Sequence, residues 1–212
     1  FLENRQYYLH ICKKYRTFAA ESTFAIRELR KITYNQIIYN HMKPQDIVVL
    51  LKKITSQGKV LSANGLAASL GMSASTVSEC LERCKKAQLV DRNKKRVNAL
   101  ALQEFLIHGI QYVFPTEAGR VGRGVPTYIS ASPIKEQLSN DNESYVWHDV
   151  KGSARGQQIQ PLYNTISQAV REDDELYQLL VIVDTLRMGR VREREIAIAE
   201  LAKHINGYAE NQ

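Results

Sequence analysis

Residues 66–90, LAASLGMSASTVSECLERCKKAQLV, constrain this chain more than any other stretch. Residues 66–70 carry apolar side chains at helical spacing, and Gly71 follows where that helix must stop. Glycine has no Cβ to clash in the left-handed conformation that ends a helix sharply. Ser73 then stands where an N-cap is needed, its hydroxyl accepting from the open amides of a second helix. In that helix Val77, Cys80, Leu81 and Cys84 recur at i, i+3, i+4 and i+7, the spacing of a buried stripe. A helical wheel puts Ser75, Glu79, Glu82, Arg83 and Lys86 on the opposite face. The stretch predicts two short helices joined by a tight turn. The outer face of the second is small, polar and partly basic, as a groove-reading helix requires.

The flanks extend the pattern. Pro44 suits a first helical turn, and Ile47, Val48, Leu50, Leu51 and Ile54 predict a strongly apolar helix ending near residues 57–58. Val60 and Leu61 suit a short strand, with Ser62 capping the helix after it. Residues 89–97 read as strand, tight turn, strand, with Asn93 taking the unusual backbone angles of the turn. Arg92, Lys94, Lys95 and Arg96 make this hairpin basic, which suits phosphate.

The spacing LAxxLGxSxxTVSxxLxxxxxxxLV is set by Leu66, Ala67, Leu70, Gly71, Ser73, Thr76, Val77, Ser78, Leu81, Leu89 and Val90. It resembles that of bacterial winged helix-turn-helix transcription regulators, broadly of the MarR type, and with its flanks it spans residues 42–98. The resemblance implies a mainly α fold with a small β-wing, the second helix lying in the major groove and the wing on phosphates. It also implies double-stranded DNA as partner, bound by a homodimer, and a repressor's role. The residues placed to touch DNA are Ser73, Ser75, Thr76, Ser78, Glu79, Arg83 and Lys86 on the helix, with Arg92, Lys94, Lys95 and Arg96 on the wing.

The rest of the chain divides into three parts. Residues 1–41 are aromatic-rich and basic, and predict a helical extension serving as a DNA-binding arm, a dimerisation helix or a packed peripheral helix. Met42 is a candidate internal start. Residues 99–166 begin with a helix capped by Asn98, with Leu100, Leu102, Phe105, Leu106, Ile110 and Val113 supplying its apolar surface. Periodicity then fails, and residues 115–126 read as a glycine-rich loop in an irregular linker. Its Arg120 and Arg123 suit DNA phosphate or a partner subunit. The loop lacks the preceding strand, following helix and Lys-Ser/Thr of a nucleotide site. Residues 139–143 read as a polar turn and 145–148 as a short strand or anchoring segment, with Trp147 packing the linker on the body. Residues 167–212 predict a C-terminal helical hairpin. Asp173, Asp174 and Glu175 open its first helix, where acidic groups suit the macrodipole, and Gly189 breaks it. Val191, Ile198, Leu201 and Ile205 then form a heptad-like stripe for the preceding helix or a second subunit.

The chain's net charge of +7 is unevenly spread. Residues 1–41 carry +4, 42–100 carry +7, 101–170 carry −1 and 171–212 carry −3. This is the footprint of a phosphate-binding module joined to a neutral or acidic body. No apolar run approaches a membrane span, and the GxSxG, HExxH and Walker signatures are absent. Neither an enzyme nor a cofactor or metal site is expected. Cys12, Cys80 and Cys84 cannot all pair, and the last two read as core residues in a reducing cytoplasm. Two functions remain. One is a DNA-binding regulator, favoured by the basic wing. The other is a winged-helix interaction protein for another protein or RNA, favoured by Glu79 and Glu82 because carboxylates repel phosphate.

Overall fold

The computed structural model describes residues 41–56, 61–138 and 144–210. Helix α1 (Pro44–Thr55) has proline in its first turn, as expected, and stops at Ser56. Its first-turn Asp46 accepts the Lys43 amide at 2.8 Å, which places a carboxylate at the positive end of the helix dipole. Helix α2 (Ala63–Leu70) is capped by Ser62, whose hydroxyl accepts from the Gly65 amide. Gly71 ends α2 in the left-handed region at φ 62°. The Ser73 hydroxyl then caps α3 (Ala74–Lys86) by accepting the Thr76 amide at 3.1 Å. Val77, Cys80, Leu81 and Cys84 are all buried, so the stripe faces inward as the spacing predicts. Leu61 is not in a strand, and Val60, residues 57–58, the expected extension over 1–40 with Cys12, and the polar turn at 139–143 lie outside the described residues.

The expected hairpin at 89–97 is reduced to one bridge, Val90 to Val97, closed around Asp91. The Asp91 amide donates to the Arg96 carbonyl, while its carboxylate oxygen Oδ1 accepts the amides of Lys95 and Arg96. A side chain that satisfies these amides replaces the strand ladder that would otherwise use them. The left-handed residue is Lys94 at φ 57°, not Asn93.

Helices α4 (Ala99–His108) and α5 (Ile110–Val113) follow, and Asn98 caps α4 by accepting the Ala101 amide. The glycine-rich segment is then not a loop: residues Ala118–Pro126 form strand β1. It pairs antiparallel with β2 (Tyr145–His148) and with β3 (Ala154–Ile159), and β2 and β3 also pair in parallel, closing a three-stranded barrel. So small a closure brings backbones too close for side chains. A Cβ built on Gly124 would stand 1.9 Å from the Trp147 carbonyl oxygen, and one on Gly152 would meet the Gly124 backbone at 2.2 Å. Within the run that resembles a phosphate loop, Gly124 is required by the close approach of β2. Gly124→Ala should therefore cost about 1–3 kcal/mol, as overpacking does, lowering the melting temperature by roughly 2–4 °C per kcal/mol. An unchanged melt would mean that the β1–β2 register is wrong.

The barrel leads through α6 (Ile166–Ala169) to α7 (Asp174–Met188) and α8 (Val191–Glu210). Asp173 caps α7 by accepting the Leu176 amide at 2.9 Å, and Gly189 separates α7 from α8, both as expected. The α8 stripe is mostly spent within the chain. Leu201 and Ile205 are 0% and 1% exposed, Ile198 packs on the same core, and Val191 alone of the four is open. α8 lies against α7 and α4, so this stripe does not offer a subunit interface. One apolar core runs from α1 to α8, taking in Trp147 of β2. The described residues of 42–98, 99–166 and 167–212 are thus parts of one packed unit that begins at Met42. Among the described residues no helix is long and apolar enough to cross a membrane.

Candidate nucleic-acid interface

Because the apolar stripe fixes α3 against α1, the opposite edge of α3 is open. Ser73, Ser75, Ser78 and Glu79 are exposed and Thr76 is half-buried, so five of the expected contact residues share one surface. The Ser73 hydroxyl lies 2.8 Å from those of Ser75 and Thr76. Capping engages Ser73, and the Ser75 and Thr76 hydroxyls bond to it in turn, each keeping capacity for a further hydrogen bond. Lys85 and Lys86 continue the exposed edge into the last turn.

Arg83 does not belong to this surface. It is 3% exposed and forms a two-pronged pair with Asp46: Nε donates to Oδ2 at 2.9 Å, and Nη2 to Oδ1 at 2.7 Å. The wheel places Arg83 only about 60° from Cys80, at the margin of the buried stripe. What draws it inward is the Asp46 carboxylate, itself 0% exposed. Asp46 was not anticipated. The usable signal was an aspartate in phase with Leu50 on the apolar side of the helix, because a buried charge requires a partner.

The basic turn is split in the same way. Arg92, Lys95 and Arg96 are exposed and, among the described residues, take part in no ion pair. Lys94 instead donates to the Glu82 carboxylate of α3, which ties the turn to the helix. That hydrogen bond holds the Glu82 carboxyl below its ordinary range. A depressed carboxylate keeps its pairing above its unfolded pKa and loses it only as pH falls through the lowered value. The clamp is therefore intact at neutral pH.

Arg120 and Arg123 are exposed as expected, but on a strand. Arg123 lies directly across from Arg155 of β3, a residue the sequence did not single out. Facing like charges disfavour a strand pair, so the two guanidinium groups suit an anion. Cys80 and Cys84 are buried free thiols; burial, the largest cause, pushes Cys80 up to about 12 and Cys84 in the same direction. Both stay protonated, as core residues do. A cavity of about 270 Å³ lies beside Gly71, but its Lys52 and Asp173 pair with each other at 2.5 Å. No family model, curated protein or solved structure matches this chain.

Proposed function

We propose that this protein binds duplex DNA as a winged helix-turn-helix regulator akin to the bacterial MarR type, and acts as a repressor. In this reading α3 is the recognition helix and the 91–96 turn is a short wing. The observation that carries it is the Lys94–Glu82 pair, which ties the turn bearing the exposed Arg92, Lys95 and Arg96 to the open side of α3. Base-reading and phosphate-gripping groups then sit on neighbouring elements, as groove binding demands. The same pair weakens the competing reading, binding to another protein or RNA. Of the two carboxylates that favoured it, Glu82 has its charge met by Lys94. The homodimer that two half-sites call for must use a surface other than the α8 stripe.

The test is a binding titration on duplex DNA across salt. If about six phosphates are neutralised, affinity should fall on the order of 10³-fold between 50 and 200 mM salt; a flat titration rejects DNA binding. Within that experiment Lys95→Ala should weaken all sequences alike and lower the salt slope by about one. Lys94→Ala should instead loosen the wing and bare Glu82. A Lys95→Ala loss confined to one sequence would reverse the role assigned to the wing.

A further inference from the structure

Arg83 has three nitrogens, and Asp46 uses two of them, Nε and Nη2. The third, Nη1, is buried and has no hydrogen-bond partner among the described residues. It lies 3.7 Å from Oε2 of Glu79, one helical turn back and half exposed on the open edge of α3. The three side chains form a chain from the core to the surface: Asp46 fixes Arg83, and Arg83 faces Glu79. A carboxylate on a groove-facing edge is unfavourable next to phosphate unless an N–H donor meets it. At 3.7 Å this is an ion pair without a hydrogen bond, so the buried guanidinium draws the carboxylate towards it and offsets part of its charge.

We infer that Glu79 selects one base pair by accepting from the exocyclic amino group of cytosine, with Arg83 as its positioning residue. This rests on the DNA reading above. In the major groove guanine presents only acceptors, and thymine an acceptor and a methyl group. Adenine offers a donor, but the N7 acceptor beside it repels a carboxylate. Cytosine N4 offers a donor without that acceptor, so a glutamate prefers it. The serine and threonine hydroxyls along the same edge both donate and accept, and discriminate less.

The experiment is selection of duplexes from a randomised pool by the purified full chain, with the sequences read out. Wild type should enrich one position as cytosine. Glu79→Gln, a change at an exposed site, should switch that position to adenine, because an amide both accepts from N6 and donates to N7. The switch should be about tenfold, with every other position unchanged. Arg83→Lys, compared with wild type at equal concentration of folded protein, should relax that one position and keep the preference at the others. A loss of affinity shared by all positions, with the cytosine preference kept, would show that Arg83 serves the fold and does not position Glu79. If Glu79→Gln selects the same base as wild type, Glu79 does not read it and the inference falls, with DNA binding left standing. If wild type enriches no sequence, the regulator reading falls and takes this inference with it.

Discussion

Arg83→Ala is expected to lower the stability of the whole fold by about 3–5 kcal/mol, because it leaves Asp46 charged, buried and without its partner. Asp46 is 0% exposed, and the contacts left to it, the Lys43 amide and the Cys80 thiol, carry no charge to balance its own. A base-contacting arginine would behave differently, costing affinity on one sequence and nothing in a urea melt. Asp46→Ala should be comparably damaging, since it strands a guanidinium that is 3% exposed. The paired change Asp46→Leu with Arg83→Met should recover most of the loss, because apolar residues of similar volume replace buried ion pairs at little cost. Urea midpoints for the four proteins at constant slope provide the check. A loss under about 1 kcal/mol for Arg83→Ala would show that the pair is not buried in solution.

An effect of similar size is expected from Asp184→Ala on α7. Asp184 is 2% exposed and accepts from Thr127 Oγ1 at 2.9 Å, Trp147 Nε1 at 2.6 Å and Arg187 Nη1 at 2.7 Å. Arg187 also donates to the carbonyls of Phe114 and Gln160, which fastens both ends of the barrel segment to α7. Removing the carboxylate leaves two donors and a buried charge unmet, at about 3–5 kcal/mol. Asp184→Asn keeps one accepting oxygen and should cost less. Trp147 is the chain's single tryptophan, so its fluorescence reports this site directly. An Asp184→Ala protein that melts with wild type and shows unchanged emission would contradict the network.

Local chemistry was legible in the sequence where one residue decides the outcome. Gly71, Ser62, Ser73, Asn98 and Asp173 each act within a few residues of themselves, and each does what its side chain predicts. The apolar stripe of α3 was legible for the same reason. Arg83 was not, because its fate depends on Asp46, 37 residues away. A wheel orders positions around one helix and says nothing of what waits opposite its margin. The link between Lys94 and Glu82 was not legible either: a basic turn and an acidic helix face look like separate surfaces until the fold joins them. The barrel was the largest omission. Its strands are short, its alternation is broken by glycines, and those glycines answer to backbone contacts across the sheet rather than to any local periodicity.

The Val97 amide donates to the hydroxyl of Tyr208, in the last turns of α8, at 3.1 Å. The base of the turn beside α3 is thus held by a residue 111 positions further along the chain. Lys52 of α1 is held from α7 by Asp173 in the same manner. Residues 42–98 therefore do not make a portable reading head. Cut out and grafted onto another protein, they would bare the side of α1 that α7 now covers and leave the turn without its anchor. The same strut makes the seat of the turn depend on the far end of the chain: without the last turns of α8 the buried Val97 amide would have no acceptor there.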